Sequence, residues 1–90
     1  MYKLVVSELA HEDLEDIVGY IAVDLANPLA AANLLNEVEK CYSYLKNNPF
    51  LYERCNDAHL GEKNYRKATF KNYVLVYKVD EPNRLVIVSK

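Results

Sequence analysis

Tyr65-Arg66-Lys67-Ala68-Thr69-Phe70, Tyr73-Val74-Leu75-Val76-Tyr77-Lys78-Val79 and Arg84-Leu85-Val86-Ile87-Val88 follow one another in the last third of the chain. Each run is rich in aromatic and β-branched residues. Lys71-Asn72 and Asp80-Glu81-Pro82-Asn83 separate them as turn signals, so the pattern predicts a three-stranded antiparallel meander. Working outward, Met1-Tyr2-Lys3-Leu4-Val5-Val6 reads as a first strand, too short and too quickly polar for a signal peptide. Between it and the meander lie two amphipathic helical patterns. Ser7 caps the first, predicted over 8–25, with Glu8, Glu12 and Asp13 near its positive end. Its apolar stripe runs Leu9, Ala10, Leu14, Ile17, Val18, Ile21, Ala22, Leu25. Asn27 and Pro28 open the second, predicted over 28–46, as N-cap and first helical residue. Its stripe is Ala31, Leu34, Leu35, Val38, Cys41, Tyr42, Leu45, and Asn47-Asn48-Pro49 ends it.

So short a link makes the helices an antiparallel hairpin. The order β-α-α-β-β-β gives the fold class α+β: a helical hairpin packed on a small antiparallel sheet, in one domain over 1–90. Leu14, Ile17, Val18, Ile21, Leu34, Leu35, Val38 and Leu45 are the expected core. Residues 50–63 lack periodicity and read as a loop pinned by Phe50, Leu51, Tyr52 and Leu60.

Ninety residues, 51% of them apolar, make one small domain that buries roughly two-thirds of its extended surface. No apolar run approaches the roughly 18 residues of a membrane span, so no membrane partner is expected. Cys41 and Cys55 stand at no metal-ligand spacing and read as reduced thiols of a cytoplasmic protein. The formal net charge is −2, but it is unevenly placed. Residues 1–45 carry two bases against eight acids (−6), whereas residues 46–90 carry nine bases against five acids (+4). A nucleic acid or acidic partner would be drawn to the sheet half.

With only Gly19 and Gly61, the chain cannot build a glycine-rich phosphate loop. His11-Glu12-Asp13 and the isolated His59 read as surface, so neither a metal nor a cofactor is expected. The paired acids of the first helix read as a solvated face rather than an acid–base pair. The sheet remains. By strand alternation Tyr65, Lys67 and Thr69 share one face and Arg66, Ala68 and Phe70 the other. Likewise Tyr73, Leu75, Tyr77 and Val79 oppose Val74, Val76 and Lys78. Arginine among stacking aromatics suits phosphate and base contacts; the tyrosines equally suit ordinary core and cross-strand pairing.

The ordered set Ala10…Asp13-Leu14…Ile17…Tyr20-Ile21, Asn27-Pro28…Ala31-Ala32, Leu45…Asn48-Pro49, Tyr65-Arg66 and Asn72-Tyr73-Val74-Leu75-Val76-Tyr77-Lys78-Val79 resembles the RelE/ParE superfamily. Its members are toxins of bacterial type II toxin–antitoxin (plasmid stabilisation) modules. The resemblance implies growth inhibition through ribosome-dependent mRNA cleavage or through DNA gyrase, with silencing by a cognate antitoxin. For RNA cleavage it implies Arg66 as the catalytic cation on the scissile phosphate, and Lys67, Lys71, Lys78 and Arg84 as bases contacting the target.

The chain departs from the nuclease pattern at Ala68 and Val74, where relatives carry bases, and no residue stands out as a general acid. Superfamily members continue past the strand ending at Val88 with a segment bearing Arg and Tyr or His, whereas this sequence stops at Lys90. Two expectations follow: a weakened toxin, or a toxin-fold module that only engages an antitoxin. An uncovered sheet edge would also favour homodimerisation or stabilisation by an antitoxin peptide.

Overall fold

The structure, a computed structural model, describes residues 1–52, 65–70 and 73–89. Strand β1 (Lys3–Val6) leads into helix α1 (Glu8–Gly19), which widens into a π-helical segment (Tyr20–Asp24). Helix α2 (Pro28–Asn47) follows, then β2 (Tyr65–Phe70), β3 (Tyr73–Asp80) and β4 (Leu85–Val88). The α+β architecture read from the sequence is the one observed.

Both helix starts follow local chemistry. Ser7 Oγ accepts from the Ala10 amide at 3.1 Å, and Asn27 Oδ1 accepts from the Ala30 amide at 3.1 Å, each satisfying an orphan amide of a first turn. Pro28 occupies the first helical position of α2. Between the helices Ala26 takes a left-handed backbone (φ 48°), which reverses the chain.

One sheet contains all four strands, in the order β1-β4-β3-β2. β2, β3 and β4 form the expected meander, but β1 pairs parallel to β4, so the sheet is mixed rather than purely antiparallel. The helical hairpin is the reason. α2 returns the chain to the end of the sheet where β1 began, and the Tyr2 amide donates to the Lys46 carbonyl there (2.9 Å). β2 starts at that same end of the sheet, on the edge opposite β1, and the last strand of a three-strand meander runs the same way as its first.

The core lies between α2 and one face of the sheet. Leu34, Val38, Cys41 and Leu45 meet Ala68, Tyr73, Leu75, Tyr77, Val86 and Val88, with Ala10 of α1 joining them. Their spacing is narrower than the stripe read from the sequence. Ala31, Leu34, Val38, Cys41 and Leu45 recur at alternating steps of three and four, the seam of a helix lying along a single surface. Leu35, one position aside, is 39% exposed, and Ile17 on α1 is 38% exposed. Both belong to the surface and not to the expected core, because among the described residues α2 is the helix whose buried seam lies along the sheet. α1 leans on the rest through half-buried Leu14, Val18 and Ile21. The widened turn after Gly19 then rotates Tyr20 and Val23 into solvent. Among the described residues no helix is long and apolar enough to cross a membrane.

Candidate functional site

The pleat places neighbouring bases on opposite sides of the sheet. Strand registers put Val6, Val88, Tyr77 and Arg66 in one row on the helix-covered face, with Arg66 at the β2 edge. A second row, Val5, Ile87, Lys78 and Tyr65, lies on the other face. Lys67 shares that second face, paired with Val76. Arg66 is thereby separated from Lys67 and Lys78 by the sheet itself.

Arg66 is held from within the molecule. Its guanidinium donates to the Tyr52 carbonyl at 2.7 Å and lies 5.1 Å from the centre of the Phe50 ring. Phe50 in turn meets Tyr2 edge-on (centroids 6.4 Å, planes at 90°). Arg84 covers Tyr2, its guanidinium 5.6 Å from that ring. The result is a strip running Arg66, Phe50, Tyr2, Arg84 at the end of the sheet where β2 and β4 begin. Two arginines eighteen positions apart are joined by two rings from other parts of the chain.

A guanidinium stacked on a ring keeps its in-plane N–H groups for hydrogen bonds, so the exposed Arg84 can receive a carboxylate or phosphate, while Arg66 spends one of its donors on the Tyr52 carbonyl. Phe50 is 43% exposed and Arg84 is exposed, so the strip faces solvent. The Arg84 backbone is left-handed (φ 52°), and its carbonyl accepts from the Lys3 amide at 2.9 Å. The β3–β4 turn and β1 are therefore tied together beneath the strip.

Tyr77, fully buried, stands beside Arg66 and donates its hydroxyl to the Pro49 carbonyl at 2.9 Å. Burial pushes its phenol up to about 12, although the Arg66 charge pulls the other way. Tyr52 packs edge-on against it (6.5 Å) and also has a raised phenol, chiefly from burial. The Cys41 thiol is buried, and desolvation raises it despite a hydrogen bond with Tyr52. These groups keep their protons near neutrality, so they act as hydrogen-bonding struts rather than proton carriers.

The structure thus brings Arg66 and Arg84 onto one strip and leaves Lys67 and Lys78 on the opposite face. Lys78 Nζ lies 5.9 Å from the centre of the Tyr65 ring there. Lys71 lies outside the described residues, as do Cys55 and His59. His11 is exposed and pairs with Glu15 (2.7 Å), as the surface reading expects. Among the described residues no group of His, Cys, Asp and Glu is placed to hold a metal ion. Sequence reasoning missed Tyr2 and Phe50 as partners of the arginines. The available signal was the hydrophobic N-terminal strand, whose first aromatic must pack at the strand's beginning.

Residues 4–89 match the family described as the ParE toxin of the type II toxin–antitoxin system, parDE. No curated protein matches the chain.

Proposed function

The chain belongs to the ParE toxin family of type II toxin–antitoxin systems, and we propose that it arrests growth by gripping DNA gyrase, under control of a cognate antitoxin, rather than by cutting ribosome-bound mRNA. The observation that carries this reading is the engagement of Arg66. Cleaving RNA requires a base for the 2′-hydroxyl, cations around the crowded phosphorus and an acid for the leaving oxygen. Arg66 is instead clamped to the Tyr52 carbonyl and stacked on Phe50. The neighbouring phenol of Tyr77 is committed to Pro49, and its proton is held up to about 12. The other strand lysines, Lys67 and Lys78, project from the far side of the sheet.

A strip of two arginines and two aromatics on a rigid sheet end suits a protein target better. Arg and Tyr are among the residues that dominate protein interfaces when packed into a preformed surface. The test runs the purified chain in a gyrase supercoiling assay beside a ribosome-programmed mRNA cleavage assay. Supercoiling should be lost with mRNA intact, and Arg84→Ala or Tyr2→Ala should weaken the inhibition. Ribosome-dependent cleavage would overturn the reading. The engagement of Arg66 also suits a toxin-fold module that only binds its antitoxin. Growth arrest on expression without antitoxin separates the two, since such a module leaves growth untouched.

A further inference from the structure

Two surfaces of this chain are apolar, exposed and oppositely charged. The first is the open face of the sheet. Tyr73-Val74-Leu75-Val76-Tyr77 is apolar throughout, although the helices cover only one of its faces and a half-covered strand ordinarily alternates. The open face carries Val5 (40% exposed), Val74 (48%), Val76 and Ile87. Lys3, Lys67 and Lys78, all exposed, stand among them. Asp80 lies at the rim of that face, its carboxylate accepting from the Asn83 side chain at 2.9 Å. The second surface runs along α1. Leu9 (58% exposed), Ile17 and Tyr20 (54%) follow at steps of eight and three, which sets them on one side of the helix. Half-buried Asp13 lies within this stripe, and exposed Glu12 and Asp16 border it.

We propose that these two surfaces are partners between copies of this chain, with α1 of one molecule lying across the open sheet face of the next. Three pairings of the two surfaces are possible between identical chains, and charge selects one of them. Sheet face on sheet face sets lysines against lysines, and α1 on α1 sets acids against acids. Only α1 on the sheet face sets Glu12, Asp13 and Asp16 against Lys3, Lys67 and Lys78, over apolar ground on both sides. The dimensions agree. Leu9 to Tyr20 spans about 16 Å of helix, and four strands span about 14 Å from edge to edge. α1 packs on the covered side of the sheet through Ala10, so each copy keeps one surface free after the first contact. The assembly therefore grows head to tail instead of closing as a two-fold dimer. It depends neither on the toxin's target nor on an antitoxin.

Sedimentation velocity of the purified full chain tests this. Apparent mass should rise with concentration, through dimers to longer species. Val74→Asp sets an acid before the neighbour's acidic helix, and Tyr20→Lys sets a base before the neighbour's lysines. Each variant alone should stay monomeric. Each also keeps the surface that the other has lost, so the mixed variants should form a one-to-one dimer that grows no further. Circular dichroism melts establish that both are folded. Should either melt be lost, Lys67→Glu and Leu9→Lys, on the same two surfaces, replace the pair. A wild-type chain that stays monomeric overturns the proposal, as does a mixture of folded variants that fails to dimerise. Self-association that survives either single substitution also overturns it, since one of the two surfaces then takes no part.

Discussion

Tyr77→Phe and Arg66→Ala, made singly and together, ask whether these side chains act as one clamp on residues 49–52. Tyr77 donates to the Pro49 carbonyl at 2.9 Å in a fully buried setting, and Pro49 is itself buried. Removing the hydroxyl keeps the ring and its edge contact with Tyr52 but leaves a buried acceptor without that donor, a cost of about 1–3 kcal/mol. Arg66→Ala loses a charge-assisted bond of 2.7 Å and the stacking on Phe50. Because Arg66 is only half-buried, its cost should stay near the lower end, at about 1–2 kcal/mol. In a domain of this size each kcal/mol lowers the melting temperature by about 4–8 °C.

The two bonds grip carbonyls three residues apart, so releasing one loosens the partner of the other. The double variant should therefore lose less than the sum of the singles, by at least about 0.5 kcal/mol. Urea denaturation followed by circular dichroism measures all four corners of the cycle. Additivity within experimental error, or a Tyr77→Phe variant as stable as the parent, would refute the clamp. The cycle also bears on function. If Arg66 acts through the clamp, the toxicity of Arg66→Ala should return at lower temperature as the fold recovers. A cation needed on an RNA phosphate would stay lost in a fully folded variant.

Other outcomes follow from the same geometry. Leu34→Ala should cost about 2–5 kcal/mol and Leu35→Ala less than about 1 kcal/mol, because Leu34 is 4% and Leu35 39% exposed; paired urea melts check this. Ala26→Gly should stabilise the chain by about 1 kcal/mol in the same melts, since the left-handed backbone at φ 48° crowds a Cβ that glycine lacks. Burial lifts Tyr77 and Tyr42 from 10 to about 12 in the folded state, so the native chain holds protons that the unfolded one releases. That stability is fully present below pH 10 and is lost as pH rises through about 12. Melting temperature should stay flat from neutrality to pH 9 and then fall, less steeply in Tyr77→Phe.

Much of the fold was legible because its signals are local. Ser7 and Asn27-Pro28 cap their helices through atoms within three residues, and the meander strands announce themselves by composition. The parallel pairing of β1 was not legible, since it depends on which end of the sheet the hairpin returns to. Ile17 and Leu35 misled for a related reason. Helical periodicity reports apolar residues on a side of a helix, but how wide a stripe is buried depends on how many surfaces the helix touches. The arginine strip was half legible: Arg66 and Arg84 stood out as bases, whereas Phe50 and Tyr2 join them only through tertiary packing.

The pleat also divides what the sequence groups. Arg66 and Lys67 are adjacent in the chain, and charge counting assigns both to one basic half, yet successive strand residues face opposite ways. Arg66 joins Tyr77, Tyr52 and Phe50 on the helix side, while Lys67 joins Val76, Val74 and Lys78 on the open side. A single basic patch would have to serve every acidic partner with the same residues. Two faces allow the partners to be told apart: a rigid arginine–aromatic strip at the sheet end, and a valine-floored, lysine-fringed surface behind it.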